Sequence, residues 1–115
     1  MPDIVYKIVP DVLWRKAKET GRFEGAEIDL RDGYIHFSTG SQARETAKRH
    51  FAGLTGLMLV AVNTLVLGEA LKFEPSRGGD LFPHLYGFLP FSAVLWEMPL
   101  LIGVDGQHAF PEKMP

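Results

Sequence analysis

Two short stretches hold most of the side chains able to do chemistry. The first, Ser76-Arg77-Gly78-Gly79-Asp80-Leu81-Phe82-Pro83-His84-Leu85-Tyr86-Gly87, puts a fixed cation, an imidazole and a phenol within ten residues. Arg77 ahead of Gly78 and Gly79 suits an anion. Its guanidinium offers a bidentate fork, and the glycines let the backbone approach with its N–H groups exposed. The competing reading is a loop-shaping ion pair with Asp80 or Glu74, worth only about 0–1 kcal/mol at a surface. His84 and Tyr86 are two apart and share a face in an extended chain, and Pro83 restricts the backbone ahead of the imidazole. That pair suits stacking on a base or nicotinamide while imidazole and phenol donate hydrogen bonds. Otherwise Tyr86 is core, with its hydroxyl tied to backbone.

The second stretch is Tyr34-Ile35-His36-Phe37-Ser38-Thr39. Strand alternation puts Tyr34, His36 and Ser38 on one face and Ile35 and Phe37 on the other. His36 is then a donor to a ligand ribose or phosphate, or a general acid/base. The alternative is a buried histidine bonded to a backbone carbonyl. Ser38 and Thr39 are counted with His36 as ligand contacts. A metal site is not expected, because His36, His50 and His84 lack short ligand spacing and no paired aspartates supply an oxygen cage. Ser38 and Ser76 lack the setting of a serine nucleophile, and no Walker-type or Rossmann glycine pattern is present. With no cysteine in the chain, thiolate chemistry and disulfides are excluded.

Both stretches need a scaffold. At 115 residues the chain is read as one domain (1–115), with a tail at 110–115 that frays. A net charge of −2 and a pI near 6.0 give no general electrostatic reason to bind nucleic acid or an anionic membrane. No apolar run approaches the length of a membrane span, and the N-terminus lacks a secretion signal. The expectation is a cytoplasmic monomer. Ile4–Val9 reads as a strand ended by Pro10, followed by a helix capped by Asp11, running to Thr20 and stopped by Gly21. Arg22–Gly33 reads as a loop draped over the sheet by Phe23, Ile28 and Leu30. Thr39-Gly40-Ser41 caps a helix over Gln42–Phe51, with Ala43, Ala47, His50 and Phe51 on one stripe. Leu57–Val62, apolar throughout, is a central strand buried on both faces. Thr64–Leu71 turns Leu65, Leu67 and Leu71 inward, Lys72–Glu74 is a brief strand, and 76–87 is a packed loop. Val94–Met98 is a strand, and Asp105-Gly106 makes a hairpin turn. The sum is α+β: a split, twisted, mixed β core of about six short strands with two main helices.

Taken together, Tyr6-Lys7-Ile8-Val9-Pro10, Gly33–Thr39, Ser76–Gly79 and Phe82–Gly87 resemble an uncharacterised bacterial family, the domain of unknown function numbered 952. More distantly, the layout resembles the ADP-ribosyltransferase superfamily, above all the RNA 2′-phosphotransferases that use NAD. That resemblance implies a cleft between two small sheets, with NAD as the cofactor or an ADP-ribosyl product as the ligand. His36 and Ser38 would orient a ribose, Arg77 would hold a pyrophosphate, and His84 or Tyr86 would support attack at the anomeric carbon. Lys7 stands where the superfamily places a first-strand histidine, and Glu97 matches its late glutamate only in rough order along the chain. The leading expectation is a cleft for an anionic, nucleotide-like small molecule. One alternative is a non-catalytic module for a small acidic metabolite or carboxylate. Another is an interaction domain presenting Phe88, Phe91 and Trp96 as an apolar patch.

Overall fold

In the computed structural model, residues 2–115 are described, with Arg77 described by its backbone alone. β1 (Ile4–Pro10) runs directly into α1 (Asp11–Thr20), and Gly21 closes that helix with its N–H to Ala17 O at 2.9 Å. Asp11 lies inside the helix; Pro10 holds the cap position and no side chain caps it. β4 (Leu57–Asn63) pairs antiparallel with β1 on one side and with β8 (Val94–Leu100) on the other. Its uninterrupted apolar run follows from this place: both faces of the central strand are covered.

Two cores flank this sheet. On one face Val5, Val9, Val60 and Val62 meet Trp14 of α1, which packs edge-on against Phe23 and Phe91 at 5.6 and 5.0 Å between ring centroids. On the other, Tyr6, Ile8, Leu59 and Ala61 lie under Ala47 of α3 (Ala43–His50), with Phe51, Phe110 and Met114 alongside. Trp96 joins this second core against Tyr6, and Phe88 lies half exposed under the Arg22 guanidinium. Phe88, Phe91 and Trp96 therefore sit on different surfaces and do not make one patch.

Two smaller antiparallel sheets complete the chain. β2 (Arg22–Phe23) pairs with β7 (Leu89–Pro90). β6 (Leu81–Leu85) lies between β3 (Ile35–His36) and β5 (Leu71–Pro75). The fold is thus α+β with several short strands in small sheets and about four helices, and every strand pair is antiparallel where a mixed core was expected. The third sheet is stitched to the first by a bridge at which Tyr6 and Ser38 exchange N–H···O bonds of 2.7 and 2.9 Å.

Several sequence readings are corrected. Arg22–Gly33 is more than a loop: it contains β2 and α2 (Glu27–Asp32), and Ile28 and Leu30 face outward while Asp29 is buried. Leu65, in the short helix α4 (Thr64–Leu67), is exposed, whereas Leu67 and Leu71 are inside. His50 is exposed at the end of α3, whereas Ala43 and Ala47 are buried. Within 76–87, Leu81–Leu85 form the strand β6, despite Pro83. Phe37 donates to Pro83 O at 2.9 Å, and only the return bond that proline cannot donate is lost, beside a strand of two residues. The C-terminal residues lie along the domain: Arg44 donates to Pro111 O, Met114 packs into the second core, and Met114 O passes over Gly40. No helix among the described residues is long and apolar enough to cross a membrane.

Candidate functional site

Alternation along β1 places Lys7 between Val5 and Val9, on a face that is otherwise core. A charge buried there has to be paired. Its partner is Asp29 of α2, with Nζ 3.0 Å from Oδ2 and 3.2 Å from Oδ1, and Nζ also donates to His36 O at 3.0 Å. Asp29 is the hub of this network. Besides Lys7 it accepts from His36 Nδ1 at 2.6 Å, His36 N at 3.1 Å and Ala26 N at 2.8 Å. The Ala26 bond is the first-turn return bond of a capping box, made here by Asp29 at the third helical position. Gly25, at φ +128°, makes the approach possible, because a Cβ there would stand 2.8 Å from the Cβ of Asp29. Burial alone would raise the Asp29 carboxyl. The His36 hydrogen bond, the Lys7 charge and the two backbone donors outweigh it and hold the pKa at about 2. Burial draws the Lys7 ammonium below its ordinary range, with Asp29 opposing that shift.

His36 is held at both ends of its ring. Nδ1 meets Asp29, and Nε2 meets Asp32 Oδ2 at 3.1 Å. Both ring nitrogens therefore face carboxylates of α2, and the ring ties α2 to β3. Its neighbour across the ladder is His84, in direct register on β6, with ring centroids 5.6 Å apart. His84 Nδ1 lies 2.8 Å from Glu74 Oε1 on β5, and the same oxygen accepts from Tyr86 OH at 2.8 Å. The hydrogen bonds from His84 and Tyr86 lower the Glu74 pKa, and Tyr86 is raised in return. Tyr34 stacks on the His84 ring at 4.1 Å and 28°.

Lys7, His36, Ser38 and His84 border one hollow of about 340 Å³ between β1, β3, β6 and α3, to which Ser76 and His50 also contribute. Ser38 Oγ and Thr46 Oγ1 stand 2.9 Å apart at its side, and Tyr6, Phe51 and Phe82 supply apolar wall. Among the described residues lining it, none is Asp or Glu. The other candidates lie elsewhere. Thr39 does not line the hollow; its N–H donates to Gln42 Oε1 at 3.0 Å. Gly78 and Gly79, at φ +69° and +85°, make the exposed turn between β5 and β6. Tyr86 stands outside, on the far side of Glu74. The side chain of Arg77 lies outside the described residues. Glu97 is two strands away from Lys7 across the sheet, bound to Trp14 Nε1 at 2.9 Å and to Lys18.

Sequence reasoning missed the carboxylates Asp29, Asp32 and Glu74. The signal for Asp29 was faint, since the cap position ahead of it is Ala26, which has no side-chain acceptor. Glu74 was read only as a loop-shaping ion-pair partner for Arg77, not as the partner of His84.

A family model described as Protein of unknown function (DUF952) matches residues 8–97. The X-ray structure of protein CC0527 from Caulobacter crescentus superposes with a TM-score of 0.88 at 49% identity, covering 92% of this chain and 93% of that one. The solution NMR structure of CC0527 gives 0.82 at 49% identity, with 92% and 91% covered. No curated protein matches.

Proposed function

The chain belongs to the family described as Protein of unknown function (DUF952), and we propose that its hollow binds a small phosphate-bearing molecule of the nucleotide class. One observation carries this reading. His36, His84, Lys7 and the hydroxyl residues Ser38, Thr46 and Ser76 border a cavity whose described lining has no carboxylate, beside aromatic walls suited to a flat ring. Its volume of about 340 Å³ sits at the low end of the roughly 300–1,000 Å³ typical of small-molecule sites. The resemblance to the ADP-ribosyltransferases contributes the choice of first ligands, ADP-ribose and NAD. It does not contribute a transfer mechanism, since Glu97 is committed to Trp14 and Lys18.

The test is a thermal shift of the full chain with ADP-ribose and NAD, and with succinate as the dicarboxylate control. A ligand at about 100 times its Kd adds roughly 2.7 kcal/mol, a rise of several degrees for a domain this size. The expected result is a rise with ADP-ribose, accompanied by movement of the His84 ring resonances. A rise with succinate alone would favour the carboxylate-binding alternative. A rise without movement at His84, or no rise at all, overturns the proposal.

A further inference from the structure

We propose that His84 is the proton-exchanging group of this hollow, and that the ligand atom set against its Nε2 carries an O–H; this rests on the binding reading above. The two histidines facing each other on β3 and β6 differ in what they leave open. Both nitrogens of His36 have carboxylate partners. Only Nδ1 of His84 does, at Glu74, and its Nε2 has no hydrogen-bond partner among the described residues. No side-chain nitrogen or oxygen sealed from solvent lacks a partner among those residues, so Nε2 is reached from the hollow that His84 lines.

The carboxylate decides which nitrogen holds the proton. Glu74 accepts from Nδ1, so the neutral ring keeps its hydrogen there and turns the Nε2 lone pair to the cavity. A lone pair repels the acceptor-only oxygens of a fully ionised anion and welcomes a hydroxyl. When the proton crosses, the ligand O–H bond breaks and an Nε2–H bond forms. The oxygen keeps the electron pair, and the new imidazolium charge faces Glu74. The ring is held for this by Tyr34 stacked at 4.1 Å. The titratable groups around it are Glu74 and Lys72 on β5, His36 across the ladder with Tyr34 beside it, Tyr86 on Glu74, and His50 across the cavity. Glu74 acts through His84 and is a positioning residue.

The experiment is a long-range ¹H–¹⁵N correlation of the imidazoles in the full, ligand-free chain, recorded at alkaline pH. The expected pattern for His84 is a protonated Nδ1 and an unprotonated Nε2. Glu74→Ala should move the proton to Nε2, whereas Glu74→Gln, which keeps an acceptor oxygen, should leave it on Nδ1. An Nε2–H tautomer in the wild type, or a pattern unchanged in Glu74→Ala, overturns the proposal. With ADP-ribose as the probe, Glu74→Ala should weaken binding by up to about tenfold and Glu74→Gln much less, as for one hydrogen bond between neutral groups. Equal affinities would remove the hydroxyl from Nε2. Should ADP-ribose bind neither variant nor the wild type while the tautomer pattern holds, it is the binding reading that fails.

Discussion

Removing Asp29 should cost far more than removing Lys7, although the two form one ion pair. Asp29→Ala leaves the Lys7 ammonium in the core with a single carbonyl partner, and it also strips acceptors from Ala26 N and from His36 at N and Nδ1. Breaking a buried pair in this way costs about 3–5 kcal/mol, a large share of the roughly 5–15 kcal/mol that holds a domain together. Lys7→Met instead leaves Asp29 with three N–H donors, from Ala26 N and from His36 at N and Nδ1, so about 1–3 kcal/mol is expected. Urea unfolding followed through the buried Trp14 measures both. Acid titration gives a second handle. The Asp29 carboxyl titrates at about 2 when folded against an ordinary 3.8, so it stabilises the folded chain fully above 3.8 and ceases to do so as pH falls through about 2. At about 1.4 kcal/mol per pH unit this is worth about 2.5 kcal/mol, and Asp29→Asn should abolish that part of the acid dependence. Equal costs for Asp29→Ala and Lys7→Met, or an acid profile untouched by Asp29→Asn, would refute Asp29 as the hub.

Gly40→Ala drives a Cβ to 1.9 Å from Met114 O, so the C-terminal segment has to lift. Carboxypeptidase should then trim the variant faster than the wild type, at a stability cost of about 1 kcal/mol; equal digestion would mean that the segment is not held there. Glu97→Gln keeps an acceptor for Trp14 and gives up a half-exposed contact with Lys18. It should cost no more than about 1 kcal/mol and leave ADP-ribose affinity unchanged, whereas a marked loss measured by calorimetry would return Glu97 to the site.

What was legible in the sequence was what neighbouring residues decide. β1 and α1 follow from a β-branched run meeting Pro10 and from Gly21 after an amphipathic turn, and β4 follows from six apolar residues without a break. The opposing faces of Ile35 and His36 follow from alternation, which is why both histidine motifs stood out. The six residues of α2 escaped notice because the helix has no capping side chain ahead of it and turns Ile28 and Leu30 to solvent. β6 was obscured by Pro83, which a central strand tolerates here only because its neighbour β3 is so short. The carboxylates behind His36 and His84 arrive from other elements. Their roles depend on tertiary approach, as where Asp29 closes on Gly25, and no local pattern encodes that.

The pairing of β1 with β4 joins segments about fifty residues apart, so it closes a long loop before any contact repays the lost chain entropy. The β5–β6 hairpin, by contrast, closes over a five-residue turn. Assembly should therefore be slow for a chain this small, with Glu74 and His84 meeting early on their hairpin. Lys7 and Ser38 join them only once the distant strands have docked. A newly made chain would carry the Glu74–His84 side of its cavity well before the cavity had walls.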